Sequence, residues 1–306
     1  MKKETFEPRR FIILLLLMII TSAAHTQQVA DTLFNPPIPN PAHGINEGPV
    51  VFIDEAHGNF HTMSGRFRPF ASILQRDGYI VKGFKETFSG DKLSQGKILV
   101  IANALHASNQ GQWSLPTPSA FTAEEIAEVN KWVKEGGSLF LMADHMPFPG
   151  AAEQLVASFG FKFFNGFAMK KRNSGKDIFS PGQGLHENVI TNGRNASEKI
   201  TSLQSFTGQA FEIPAEASAI VILNDDYEIL LPKTAWQFGK NTEKMSADKL
   251  VQGAYMKYGN GKVVVFGEAG MFTAQTQGGK NKFGMNAKSA PQNVQFLLNV
   301  IHWLDE

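Results

Sequence analysis

The 306-residue chain contains no cysteine. That absence excludes disulfides, thiolate metal ligands, a cysteine nucleophile and a lipid-modified cysteine at a cleavage site. The chain also lacks a strong excess of either charge, with 29 Lys and Arg against 28 Asp and Glu. No phosphate-loop sequence is present, and the Gly-x-Gly at Gly182 and Gly184 neither follows a predicted strand nor opens a helix. No internal repeat is found. The apolar run from Phe11 to Ile20 is only ten residues, short for a membrane span.

That run belongs to a targeting segment. Lys2, Lys3, Arg9 and Arg10 precede it and Ser22, Ala23 and Ala24 follow, which predicts a signal peptide over residues 1–24, with Thr26 a second cleavage point. The alternative is an uncleaved anchor. Residues 25–48 carry a run of prolines from Pro36 to Pro41 and form an extended leader, and 49–306 form a single α/β domain. Removing residues 1–24 takes away four basic and two acidic side chains, leaving 25 and 26. Such a balance gives no electrostatic case for nucleic acid or an anionic membrane surface. The chain is therefore expected to be exported, periplasmic or extracellular, with no stable membrane span after processing. Its expected partner is a small molecule.

Strand and helix patterns alternate from Val50 to about Phe164. Val50 to Ile53, Tyr79 to Phe84, Lys97 to Ala102 and Ser138 to Ala143 read as strands, the first and the last of them buried. Phe67, Phe70, Ile73 and Leu74 make one helical face, and Ala151 to Phe159 another helix. Thr122 with Glu125 predicts a capping box opening a helix that Gly136 and Gly137 end. This spacing implies right-handed crossovers and a mostly parallel sheet with helices on both faces. The last third predicts antiparallel hairpins: 219–224 with 227–231 across Asp225-Asp226, and 254–258 with 262–266 across Gly259-Asn260-Gly261. Val294, Leu298, Ile301 and Leu304 mark a final helix. Residues 170–217 give no clear element.

In such sheets ligands sit beyond the carboxyl ends of the strands. The first strand ends in Asp54, Glu55, His57, Asn59 and His61, followed by Arg66. The third ends toward His106, the fourth in Asp144 and His145, and the late hairpin in Glu268. Asp54, Glu55, His57, Asp144, His145 and Glu268 are the candidate catalytic residues, with Asn59, His61, Arg66 and His106 as ligand contacts. A carboxylate beside an imidazole suits general acid–base work on a sugar or ester. It also suits zinc or manganese, although His57 and His61 lie in a loop and match no strong zinc signature. No cofactor is expected, and a divalent metal stays open. The competing explanation is a solvated first loop whose Asp and His cap the next helix.

Several stretches resemble the class I glutamine amidotransferase-like superfamily. They are the 51–61 segment, Trp132 to Asp144, His186 to Gly193, Tyr258 to Glu268, and Asn299 to Leu304. More narrowly, the chain resembles secreted bacterial domains associated with unsaturated rhamnogalacturonyl hydrolases and gliding-motility ABC systems. The resemblance implies a flavodoxin-like architecture, a cleft at the strand ends and a carbohydrate context. In amidotransferases the strand-to-helix elbow, near Asp144 here, carries the cysteine nucleophile, and a histidine accompanies the glutamate that follows a late strand. Both are missing, so glutamine hydrolysis is excluded. A hydrolase or accessory enzyme acting on carbohydrate or glycoconjugate is expected, or else a binding module that has lost the nucleophile.

Overall fold

Period-two alternation of apolar residues along the central strands explains the layering, because successive side chains leave a strand on opposite faces. In the computed structural model, which describes residues 28–172 and 176–306, two cores lie on the two faces of one sheet. The expected signal peptide lies outside the described residues.

The chain runs through β1 (Val50–Asp54), α1 (Arg68–Arg76), β2 (Ile80–Phe84), β3 (Ile98–Ala102), α2 (Ala123–Glu135), β4 (Ser138–Met142) and α3 (Phe148–Ala157). After a stretch of short elements come β5 (Ser218–Ile222), β6 (Val251–Tyr258), β7 (Gly261–Phe266) and α4 (Asn293–Asp305). The 12-stranded sheet has β2-β1-β3-β4-β7 as a parallel block. β6 joins it antiparallel to β7, and β5 and shorter strands extend it on that side. The architecture is mixed α/β with a large parallel component.

Val51, Ile53, Val100, Phe140, Val264 and Phe266 face α1 and α4 in one core. Phe52, Leu99, Ile101, Leu139, Val263 and Val265 face α2 and α3 in the other. Helix α2 begins as its sequence predicts: Thr122 Oγ1 accepts the Glu125 amide at 3.2 Å, and Glu125 Oε2 accepts the Thr122 amide at 3.0 Å. It ends at Gly136, whose φ of 128° suits glycine. Val129, Trp132 and Val133 pack inward, each burial contributing about 1.5–3 kcal/mol. Helix α3 starts earlier than its apolar pattern suggests, because Pro149 is accommodated in its first turn.

One predicted hairpin forms and one does not. β6 and β7 pair from Gly253↔Phe266 to Tyr258↔Gly261. The 219–231 hairpin is corrected: the chain does turn there, with the Tyr227 amide donating to Asn224 O at 3.1 Å. The strands then separate, because both edges of β5 are already occupied, by β6 and by Gly184–Leu185. Tyr227–Leu231 instead pairs with Phe167–Lys170 and Glu243–Ser246 in a separate three-stranded sheet. No helix among the described residues is long and apolar enough to cross a membrane.

Candidate functional site

Strand register brings two carboxyl groups together. β4 and β7 are parallel neighbours with Met142 opposite Phe266, so Asp144 and Glu268, each two residues further on, leave the sheet side by side. Ala102 on β3 lies opposite Met142 from the other side, and the next residue, Asn103, follows. Asn103 takes a left-handed conformation, φ 52°, tolerated by asparagine. Its side-chain oxygen accepts the Asp144 amide at 2.8 Å. The Phe60 amide donates to Asn103 O at 2.9 Å, which draws the loop after β1 to the same spot. The result is a cleft of about 250 Å³ whose lining includes His61, Asn103, Asp144, His145, Glu268 and Gln275.

Glu268 is 1% exposed. Its Oε2 accepts the Met271 amide at 2.7 Å, while Oε1 has no partner among the described residues. Burial pushes its pKa well above the ordinary carboxylate value, and the neighbouring charge of Asp144 pushes it further. Asp144 retains partial exposure at the cleft, yet burial raises its pKa as well. The His145 ring and amide and the Asn103 side chain oppose that rise. Two such carboxyls titrate as a pair, and the rise is the larger at Glu268.

His145 is held on the cleft wall by stacking on Phe167, with centroids 4.4 Å apart and planes at 10°. Its Nδ1 donates to Met146 O at 2.8 Å, which leaves Nε2 as the ring nitrogen available to a ligand. His61 stacks on Phe67 at 4.9 Å and 4°. Burial, with Arg66 adding to it, lowers the His61 pKa to about 3, so its ring is neutral at ordinary pH. Its Nδ1 is buried and has no partner among the described residues. Gln275 Oε1 is likewise unpartnered, although its amide donates to Thr273 Oγ1 at 2.8 Å.

The ten residues expected at the site are divided by the structure. His61, Asp144, His145 and Glu268 line the cleft. Asp54, Glu55 and His57 do not. His57 lies between two carboxylates, Nδ1 2.9 Å from Asp54 Oδ1 and Nε2 2.9 Å from Glu125 Oε1. Burial opposes its charge, but Asp54 and Glu125 outweigh that and its pKa is raised. Both ring nitrogens donate, so this is a buried imidazolium bridge between the end of β1 and the start of α2. Asn59 completes it, donating Nδ2–H to Asp54 Oδ2 at 2.9 Å. Glu55 accepts the Met63 amide at 2.7 Å and lies 3.7 Å from Lys85 Nζ. Arg66 is not part of the cleft lining, and its guanidinium lies 4.0 Å from the centroid of the Phe60 ring. His106 Nδ1 accepts the Ser108 amide at 3.1 Å and caps a short turn.

Sequence reasoning missed Asn103 and Gln275 as cleft residues, together with Trp113, Thr207 and Trp236. Asn103 carried a signal, a polar residue directly after a buried strand. The others sit on loops whose destination no local pattern announces. Among the described residues no group of three or more His, Asp or Glu side chains is placed to hold a metal ion.

No family model matches the chain, and no curated protein matches it in sequence. Solved structures similar to it include the N-terminal domain of mmIFT52, at 15% identity and a TM-score of 0.58, covering 83% of this chain and 96% of that one. A ThuA-like protein from Bacteroides uniformis has 10% identity and a TM-score of 0.46, covering 86% and 94%. A GMP synthase protein from Thermoplasma acidophilum has 12% identity and a TM-score of 0.43, covering 83% and 92%. At these identities the likeness to the mmIFT52 domain is one of fold alone.

Proposed function

We propose that the chain is an exported hydrolase that cleaves glycosidic bonds in a carbohydrate or glycoconjugate, with Glu268 and Asp144 as its pair of catalytic carboxyls. The observation that carries this is the convergence of two carboxyl groups with raised pKa in one cleft, one of them with an unpartnered oxygen. Perturbed carboxyls in a cleft mark acid–base sites.

Each group has a role that follows from its surroundings. Glu268, holding its proton, donates it to the leaving glycosidic oxygen as the bond to the anomeric carbon breaks. Asp144, side by side with it, attacks the anomeric carbon as the carboxylate, and water deprotonated by the now ionised Glu268 then hydrolyses the glycosyl ester and frees Asp144. His145 Nε2 is placed to hydrogen-bond a substrate hydroxyl. Glu55, committed to Met63 and Lys85, has no part in the chemistry. The strand order β2-β1-β3-β4-β7 supports the flavodoxin-like, amidotransferase-like architecture that the sequence resemblance implies.

Glu268→Gln keeps the shape and removes the proton donor. It should lower turnover of a responsive glycoside by about 10²–10⁴-fold while binding persists, with Glu55→Gln unaffected. A fully active Glu268→Gln enzyme would overturn the assignment. Export is tested by mass spectrometry of the protein from its host, which should find an N-terminus near His25; recovery of the chain beginning at Met1 from membranes would refute export in cleaved form.

A further inference from the structure

The cleft has two aromatic walls delivered by loops that the hydrolase proposal does not use. The loop after β3 and the loop after Tyr227–Leu231 are joined by backbone bonds, Leu115 N to Lys233 O at 2.9 Å and Ala235 N to Trp113 O at 2.8 Å. Ser114 Oγ and Thr234 Oγ1, 3.0 Å apart, reinforce the junction. This connection sets Trp113 and Trp236 in the cleft lining. Trp113 packs edge-on against Phe148 at 5.2 Å. Trp236 stands edge-on to His145 at 4.6 Å and to Phe167 at 4.7 Å, yet remains 51% exposed. Its backbone is left-handed, φ 65°, an unusual conformation for so bulky a residue. A half-exposed tryptophan held in that conformation contributes little to the core. It stands in the cleft lining beside His145 with about half of its surface open.

The polar lining is equally selective. His61 Nδ1, Gln275 Oε1 and Glu268 Oε1 are buried and have no partner among the described residues. Among the described residues lining the cleft are two acids and no lysine or arginine. An anionic group entering there would meet Asp144 without a compensating cation. A cleft of about 250 Å³ falls below the roughly 300–1,000 Å³ of drug-sized pockets, which suits one six-membered ring.

Resting on the hydrolase proposal, we infer that the cleft seats one neutral pyranosyl unit, excludes uronic acids and phosphorylated sugars, and uses Trp236 at its mouth to stack the adjoining unit. The apolar C–H face of the ring meets the Trp113 indole, its hydroxyls meet His61 Nδ1 and Gln275 Oε1, and Glu268 Oε1 is left to the glycosidic oxygen. Trp236 is a specificity-determining residue for the next ring along the chain.

The test uses the Glu268→Gln protein and tryptophan fluorescence. Methyl glycosides and trisaccharides of neutral hexopyranoses and 6-deoxyhexopyranoses, in both anomeric forms, are titrated beside matched glucuronides and galacturonides. At least one neutral ligand should bind about tenfold or more tightly than its uronide. Adding Trp236→Ala should weaken the trisaccharide by about tenfold and leave the methyl glycoside within about twofold, with Trp236→Phe restoring much of the loss. Trp236→Asn, which tolerates the left-handed backbone, should weaken the trisaccharide without lowering the melting temperature. Preference for uronides, failure of every neutral ligand to bind, or indifference to Trp236 would overturn the inference. Turnover separates the two proposals. Wild-type hydrolysis of a uronide that Glu268→Gln abolishes sustains the hydrolase and sinks the neutral-sugar inference. Trp236-dependent binding of a neutral ligand that the wild type never cleaves does the reverse.

Discussion

His57 Nε2 and Glu125 Oε1 lie 2.9 Å apart across the packing of the β1 loop on helix α2, and the same glutamate caps that helix through its other oxygen. Glu125 also accepts the Phe88 amide at 3.1 Å. One carboxylate thus holds a strand end, a helix start and a third segment. Replacing His57 with Phe would leave Asp54 and Glu125 buried without their cation, and should destabilise the domain by about 3–5 kcal/mol in urea unfolding.

The same bridge has a pH signature. The His57 pKa is raised on folding, so its contribution is full below about pH 6.5 and is lost as pH rises through the higher folded value. Glu125 behaves oppositely. Burial alone would raise its pKa, but the Thr122 amide, His57 and the Phe88 amide outweigh burial and lower it. Its contribution is present above the ordinary carboxylate value and fades as pH falls through the depressed one. Unfolding measured against pH should show both limbs weakened in His57→Phe.

Glu268 should show a stability cost at neutral pH. Its folded pKa is raised, so folding favours the protonated form, and stability falls as pH rises from the ordinary carboxylate value through the folded one. Glu268→Gln removes that fall. Its melting temperature relative to wild type should therefore be higher at pH 8 than at pH 4, by about 2–4 °C for each kcal/mol recovered. In turnover, the alkaline limb of the pH–rate profile should track loss of the Glu268 proton, above the usual carboxylate range. A melting difference that is the same at both pH values would count against a buried, proton-holding Glu268.

His61 should confer acid sensitivity. With its folded pKa lowered to about 3, the unfolded chain binds a proton that the folded chain refuses between about pH 6.5 and that value, and stability is lost as pH falls through this window. His61→Phe, which preserves the stack on Phe67, should unfold less readily than wild type at pH 4. The slope of stability with pH should decrease there by about 1.4 kcal/mol per pH unit.

The capping box gives a local control. Thr122→Ala removes the acceptor for the Glu125 amide and should cost about 1 kcal/mol. An effect far larger would mean that the cap also fixes the orientation of Glu125 toward His57, which a double-mutant cycle with His57→Phe would expose as coupling.

Much of the frame was legible because it rests on short-range chemistry. The runs at β1, β3 and β4, the Thr122–Glu125 box and the turn at Gly259 to Gly261 each carry their pattern within a few residues. The failed hairpin at Asp225-Asp226 shows the limit: a turn can be read locally, but which edge each flanking strand joins depends on edges contributed elsewhere.

The carboxylates divide along the same line. By itself the sequence determined that acids and imidazoles follow the strands, because strand ends are where apolar pressure ceases. Only the tertiary structure decided which of them share a cleft. The buried end of β1 lies beside α2, where Glu125, 68 residues further along the chain, captures His57 and turns that group into an internal bridge. The register of Met142 with Phe266 sets Asp144 beside Glu268. Each outcome depends on partners distant in sequence, available only once the helix has docked and the strands have paired.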